Sequence, residues 1–270
     1  MRIAFIGGGN MARAIAGGLI ARGTGADEIL VVEIDAAVRK HLADELGIEA
    51  IESPGPQLAH ADVLIFAVKP QQMREAAVAV APHLRGCLVV TIAAGIRLMD
   101  LARWLGGYER LVRAMPNTPA LVHAGMTGLF ASDYVNTDDR NIATKLMSAV
   151  GAVAWFDAES DLDVVTAISG SGPAYVFYVI EALEAAAKSL GIEEATARSL
   201  ALWTFAGATK LAVERGEAPA ALRAQVTSKG GTTERALEVL EQGRVKERFA
   251  DAVRAATERS RELGDSFGKD

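Results

Sequence analysis

Arg2-Ile-Ala-Phe-Ile-Gly7-Gly8-Gly9-Asn10-Met11-Ala12 decides the fold. A short apolar run ends in glycines and passes straight into an apolar-periodic segment from Met11 to Arg22, which predicts a strand, a tight turn and a helix. Gly7, Gly9 and Ala12 fall in the G-x-G-x-x-A spacing of a dinucleotide-binding unit. Gly7 allows the sharp turn, Gly9 lets the backbone approach a pyrophosphate, and Ala12 keeps the helix tight against the strand. The helix start offers unpaired N–H groups and a partial positive charge to phosphates. Gly7, Gly8, Gly9, Asn10 and Met11 are therefore candidate cofactor-binding residues. Glycine-rich turns also arise by chance as plain structure, and the strand before and helix after this one favour the cofactor reading.

Working outward, Ile29-Leu-Val-Val-Glu33 reads as a second strand, followed by a helix that runs through Leu46 and stops at Gly47. Glu33 ends that strand about twenty residues beyond the loop, where an acid binds the adenosine ribose hydroxyls. A carboxylate repels a 2′-phosphate, which favours NADH, and Asp35 adds to the repulsion. Arg39 and Lys40 can reach back to offset it, so NADPH or NADH stays open. Asp62 to Val68 is a third buried strand ending in Lys69-Pro70-Gln71, and Pro70 forces a loop there because it cannot continue a central strand. Ligands sit at that carboxyl edge in open α/β sheets. Lys69 reads equally as a cofactor contact or as a solvated strand-end charge. Leu88 to Ile92 and Leu111 to Met115 make a fourth and a fifth strand, each followed by a loop, Ala93-Ala-Gly95 and Pro116-Asn117-Thr118-Pro119. Met126 to Ala131 and Ala152 to Phe156 are further strands, with a helix across Arg140 to Val150 between them. This alternation implies an α/β fold with a mostly parallel, doubly wound sheet of Rossmann type.

After Asp157 the pattern changes. Pro173 to Leu190, Glu194 to Arg215, Pro219 to Val226, Thr233 to Leu240 and Arg244 to Leu263 all carry helical spacing. The expected division is residues 1–158 for a dinucleotide-binding domain and 159–270 for a C-terminal all-helical domain that binds substrate and dimerises. Ser169-Gly170-Ser171-Gly172-Pro173 is a strong helix start with more glycine than capping needs. Tyr175 to Ala187 and Leu200 to Val213 are apolar most of the way round, which implies burial, yet a domain of this size has little capacity to bury both. A homodimer with interleaved helices is favoured over a self-contained bundle. Val226-Thr-Ser-Lys-Gly-Gly-Thr-Thr233 precedes another helix, and the backbone of Gly230 to Thr233 with the Ser228, Thr232 and Thr233 hydroxyls suits a small carboxylate. One threonine would suffice for a plain cap.

The chain has 270 residues, half of them apolar, and a formal net charge of −6, which argues against nonspecific nucleic-acid binding. Cys87 is the single cysteine, so no internal disulfide forms, and its apolar setting suits a buried hydrophobe better than a nucleophile. Neither a signal peptide nor an apolar run long enough to cross a bilayer is legible, and the cytoplasm is the default. His41, His60, His83 and His123 share no spacing, and no metal cluster emerges.

With these pieces assembled, the chain resembles the pyrroline-5-carboxylate reductase family along its whole length. The resemblance rests on residues 7–12, Ala67-Val-Lys-Pro70, Arg113-Ala-Met-Pro-Asn-Thr-Pro119, Ser169-Gly-Ser-Gly-Pro-Ala-Tyr175 and the 226–233 stretch, with 219–240 similar to the family's signature segment. Two departures are Lys229, where many members carry proline, and Glu33-Ile34-Asp35, where others carry Asn-Arg or serine-rich segments. The resemblance implies hydride delivery to the imine carbon of 1-pyrroline-5-carboxylate, giving L-proline. It implies that Ser228, Gly230, Gly231 and Thr232 hold the substrate carboxylate and that Thr233 hydrogen-bonds the ring nitrogen. It places the nicotinamide along Ala67, Val68, Lys69, Pro70 and Asn117, and it implies dimers that members often stack into decamers. A protonated imine is already electrophilic, so positioning matters more than a strong acid. The alternatives are a hydroxy-acid dehydrogenase, which needs a helical-domain Lys or His, and a nucleotide sensor, which would not need the 226–233 cradle.

Overall fold

The computed structural model describes residues 1–269. Its strands are β1 (Ile3–Ile6), β2 (Ile29–Val32), β3 (Glu49–Ile51), β4 (Val63–Phe66), β5 (Leu88–Thr91), β6 (Leu111–Met115), β7 (Gly125–Ala131) and β8 (Gly151–Trp155). They form one sheet in the order β3-β2-β1-β4-β5-β6-β7-β8, parallel except for the β6–β7 pair. The reversal of strand order on either side of β1 creates a crevice at the carboxyl ends of β1, β2 and β4.

Alternation along each strand assigns its side chains to two cores. Ile3 and Phe5 of β1, with Val63 and Ile65 of β4, face one layer, while Ala4 and Ile6, with Leu64 and Phe66, face the other. The first layer is closed by α1 (Asn10–Ala21) and α2 (Ala36–Leu46), the second by α3 (Met73–Val80) and α4 (Leu98–Trp104). α5 (Thr137–Ser148) adds Leu146 and Met147 to the first layer. Each buried Phe, Ile, Leu or Met contributes about 1.5–3 kcal/mol by leaving water. With both faces covered, the central strands read as unbroken apolar runs rather than alternating ones. β3 has no such signature, being three part-exposed residues that pair with β2, and the sequence reading omits it.

Polar ties fix the periphery. Asp139 of α5 is 1% exposed and accepts from Arg110 through both oxygens, at 2.5 and 3.0 Å. The Arg110 hydrogen bond, more than its charge, holds the Asp139 carboxyl below the usual carboxylate range. Arg113 of β6 is buried and pairs with Glu159 at 3.1 Å, and Glu159 also accepts from the Leu98 N–H at the start of α4.

The remaining helices are α6 (Asp161–Val165), α7 (Gly172–Ser189), α8 (Glu194–Arg215), α9 (Pro219–Gln225), α10 (Thr232–Gln242) and α11 (Val245–Phe267). Contacts divide the chain into one compact unit of Met1–Ser171 with the residues from Ala255 onward, and a second of Gly172–Arg254. The composition shift places a boundary at 158/159. Residues 159–171 group with the sheet because Leu162 and Val165 pack on β7 at Gly128, where an added Cβ would lie 3.0 Å or less from both. The end of α11 returns to the first unit, with Ser260 donating to Asp163 at 2.7 Å, Arg97 to Asp265 at 2.6 Å and Arg103 to the Gly268 carbonyl at 2.8 Å.

In the second unit, α7 and α8 pack on each other and bury only Ala197 and Ala201 between them. Phe177, Tyr178, Trp203 and Val213 stay exposed, Trp203 at 76%. These are the helices whose apolar character implies burial, and a single chain leaves most of that surface open.

Candidate active site

The glycine loop after β1 is shaped by three different demands. Gly7 has φ +97°, and its N–H donates to the Val32 carbonyl at 2.8 Å. A Cβ there would stand 2.9 Å from the Ala67 carbonyl oxygen, so both conformation and space require glycine. Gly8 is enclosed by the chain itself, with Leu42 and Val38 2.8 and 3.2 Å from an added Cβ. At Gly9 an added Cβ would meet nothing within 4 Å, so the protein's own packing does not explain this glycine. The open space lies at the N-cap of α1, which has no side-chain cap and leaves its first-turn amides unpaired. That arrangement fits a pyrophosphate. Met11 packs on the first core layer behind the loop, and Asn10 lines a separate cleft of about 440 Å³ with Arg13 and His123.

Glu33 fastens the loop from β2. One carboxylate oxygen accepts from the Gly8 N–H and the other from the Asp35 N–H, both at 2.8 Å. Each oxygen keeps a lone pair for a ribose hydroxyl. Asp35 caps α2 by accepting from the Ala37 N–H at 2.7 Å, which explains the sharp entrance of that helix. The two cations nearby are already engaged. Arg39 Nη1 donates to the carbonyl oxygens of Glu33 and Ile34 at 2.8 Å each, and Lys40 Nζ lies 2.5 Å from Asp44.

Gly7, Glu33 and Val68 are brought together on the wall of a cleft of about 260 Å³ at the carboxyl edge of the sheet. Ile34, Glu52, Gln72 and Glu75 line it too, and the sequence reading misses the last three. Glu52 follows the unpredicted β3, and the Pro70–Gln72 turn carries the chain straight into α3, which presents Glu75. Ala67, Lys69 and Pro70 do not line the cleft. Ala67 donates its N–H to the Ile6 carbonyl at 2.8 Å, and Lys69 is an exposed residue before that turn. Asn117 is half-buried, and its amide is committed to the fold. Nδ2 donates to the Ser169 carbonyl at 3.1 Å, and Oδ1 accepts from the Met126 N–H at 2.8 Å. Asn117 thereby joins β6, β7 and the five-residue π turn Thr166–Gly170, a form of helix enriched near functional sites.

The second unit carries the other candidate residues on the turn between α9 and α10. Gly230 has φ +72°, and the Gly231 N–H donates to the Ser228 carbonyl at 3.0 Å. A Cβ on Gly231 would stand 2.5 Å from Ser228 Oγ, so the glycine lets a hydroxyl close on the start of α10. α10 begins at Thr232 with no side-chain cap, which leaves the Thr232 and Thr233 amides unpaired beside their own hydroxyls. The Gly230 N–H is not open in the same way, because Glu234 Oε2 accepts from it at 2.6 Å.

Comparison with known proteins bears on both units. The family described as "Pyrroline-5-carboxylate reductase dimerisation" matches residues 159–263, and the one described as "NADP oxidoreductase coenzyme F420-dependent" matches residues 2–95. Pyrroline-5-carboxylate reductase of Pseudomonas aeruginosa is 43% identical over 269 residues, covering 99% of this chain and 98% of that one. The corresponding protein of Pasteurella multocida is 40% identical over 98% of both chains. Among solved structures, the chain is similar to a pyrroline-5-carboxylate reductase from Coxiella burnetii, with TM-score 0.93 and 42% identity over 97% of this chain and 98% of that one. It is also similar to the Plasmodium falciparum pyrroline carboxylate reductase with NADP bound, with TM-score 0.84 and 28% identity over 98% of each.

Proposed function

The chain belongs to the pyrroline-5-carboxylate reductase family, and from that premise we propose how its residues carry out the NAD(P)H-dependent reduction of 1-pyrroline-5-carboxylate to L-proline. The bound cofactor supplies the hydride, which goes to the imine carbon. The start of α1 and the open space at Gly9 hold the pyrophosphate. Gly7, Gly8 and Glu33 shape and fasten that loop, and Asn10 and Met11 complete its first helical turn. The cleft beside Val68 takes the adenosine half, while Ala67, Lys69, Pro70 and Asn117 belong to the nicotinamide side. Ser228, Gly231 and Thr232 receive the substrate carboxylate on unpaired amides and hydroxyls. Gly230 contributes once Glu234 releases its N–H. Thr233 Oγ1 hydrogen-bonds the ring nitrogen and orients the imine for attack. Hydride transfer needs the reacting atoms about 3–3.5 Å apart, so alignment is the main contribution these groups make. A neutral threonine is too weak an acid to protonate the nitrogen, and the proton arrives with the substrate or through water.

Similarity that runs unbroken through both units carries this reading, since neither the glycine loop nor the 228–233 turn alone specifies a substrate. NADH is the favoured cofactor, supported by the fixed Glu33 carboxylate and by an Arg39 occupied with backbone carbonyls. The chain carries its family's dimerisation domain and forms a homo-oligomer through it. Stacking of dimers into a decamer is part of the proposal, as is a cytoplasmic location. Among the described residues no helix is long and apolar enough to cross a membrane. The deciding assay follows the absorbance of each reduced nicotinamide with the cyclic imine and with 2-keto acids. Turnover with the imine alone supports the assignment, and turnover confined to keto acids overturns it.

A further inference from the structure

Glu52 lies one residue past the end of β3 and shares its cleft with Glu33 and Glu75, among apolar walls that include Ile6, Val32 and Val68. Glu33 differs from it in how it is held. Glu33 is fixed by two backbone N–H groups, so its charge stays in place and its removal also loosens the glycine loop. Glu52 is 75% exposed at its side chain, and its charged neighbour is Arg39, whose Nη2 lies 3.7 Å away. Arg39 is thus drawn to Glu52 on one side and to the Glu33 and Ile34 carbonyls on the other. A 2′-phosphate requires the opposite arrangement, a guanidinium free to grip two oxygens and no carboxylate close by.

We propose that Glu52, by adding a second carboxylate to the adenosine cleft and by engaging Arg39, is a specificity-determining residue that makes the enzyme select NADH over NADPH. The inference rests on the reading that this cleft takes the adenosine half of the cofactor. Glu52 takes no part in the hydrogen bonds that hold the glycine loop, so it sets selectivity without setting the loop's shape.

Steady-state kinetics of the full-length enzyme with each cofactor test it, using Glu52→Gln, Glu52→Gln with Arg39→Ala, and Ala79→Phe. The last narrows the cleft from an exposed position on α3. Glu52→Gln is expected to raise the NADPH-to-NADH ratio of kcat/KM about fivefold at low ionic strength, through a lower KM for NADPH. That gain should shrink when Arg39→Ala is added, and shrink again near ~1 M salt, where screening acts over about 3 Å. A merely structural role would move both cofactors together and would not respond to salt. An unchanged ratio in Glu52→Gln, or a changed ratio indifferent to salt and to Arg39, overturns the inference provided Ala79→Phe raises KM for both cofactors. If Ala79→Phe raises neither, the placement of adenosine in this cleft is itself wrong, and the inference falls with it.

Discussion

Gly7→Ala isolates what the first turn of the chain contributes. The substitution adds one methyl group where φ is +97°, well beyond the left-handed helical region that an alanine tolerates poorly. Holding a non-glycine residue there costs about 1–3 kcal/mol. The methyl also meets the Ala67 carbonyl oxygen and carbon at 2.9 and 3.0 Å and Val68 Cγ1 at 3.0 Å. The first two atoms are backbone at the end of β4, so relief requires β1 and β4 to part, and overpacking of this kind adds about 1–3 kcal/mol. The expected loss is therefore about 2–6 kcal/mol, or roughly 6–18 °C in melting temperature at about 3 °C per kcal/mol for a unit of this size. Moving Gly7 also moves Gly8 off the Glu33 carboxylate and shifts the uncapped start of α1. The Kd for reduced nicotinamide should then rise on the order of tenfold or more, because the amides proposed to face the phosphates depend on that geometry. Differential scanning calorimetry without cofactor and fluorescence titration with it measure the two effects separately. A variant that melts within a degree of the wild type and binds cofactor equally well would refute the argument from φ and from the Ala67 contact together.

Other substitutions probe other parts of the molecule. Thr233→Ala should lower kcat at least tenfold while leaving nicotinamide affinity near that of the wild type; equal loss of both would contradict its assignment to the imine nitrogen. Asp139→Asn should cost about 2 kcal/mol at neutral pH, less than the ~3–5 kcal/mol of a fully enclosed pair, because Arg110 is 38% exposed and rehydrates. Since folding lowers the Asp139 pKa, the pair's contribution is complete above the unfolded value near ~4 and is lost as pH falls through the lower folded one. Urea midpoints should therefore differ between wild type and variant at neutral pH and converge in acid, and a gap independent of pH would contradict this. Trp203→Glu should weaken the homo-oligomer by at least ~30-fold, the equivalent of losing one interface anchor of about 2 kcal/mol, as read by sedimentation velocity. An unaltered sedimentation profile would place the interface on another surface.

Local chemistry was legible at the ends of α2 and α8, and less so at the start of α5, where the Asn136–Asp139 capping box begins the helix ahead of Arg140. The end of α2 follows from Gly47 at φ +65°, and α8 spans Glu194–Arg215 as its periodicity predicts, with Gly216 at φ +64° closing it. The central strands announce themselves as apolar runs because they are covered twice. β3 does not, since Glu49-Ala-Ile51 becomes a strand only by lying beside β2, a cause outside its own three residues. The site divides in the same way. The glycine loop and the Ser228–Thr233 turn are contiguous, so residue type and spacing single them out as candidates. The amide bridge of Asn117 and the grip of Arg39 on two carbonyls depend on where other segments arrive. Glu52 was hidden for a related reason, because its importance comes from a strand that pattern alone does not show.

The return of α11 has a consequence for how the molecule is made. Gly95, at φ +75° in the loop after β5, has the Phe267 ring 3.0 Å from where a Cβ would sit, and Arg97 two residues later holds Asp265. A ribosome emits the sheet well before these partners, so the surface around Gly95 waits, half-built, through the synthesis of every intervening helix. A truncation that removes Asp265 and Phe267 would therefore injure the nucleotide-binding unit before the helical one.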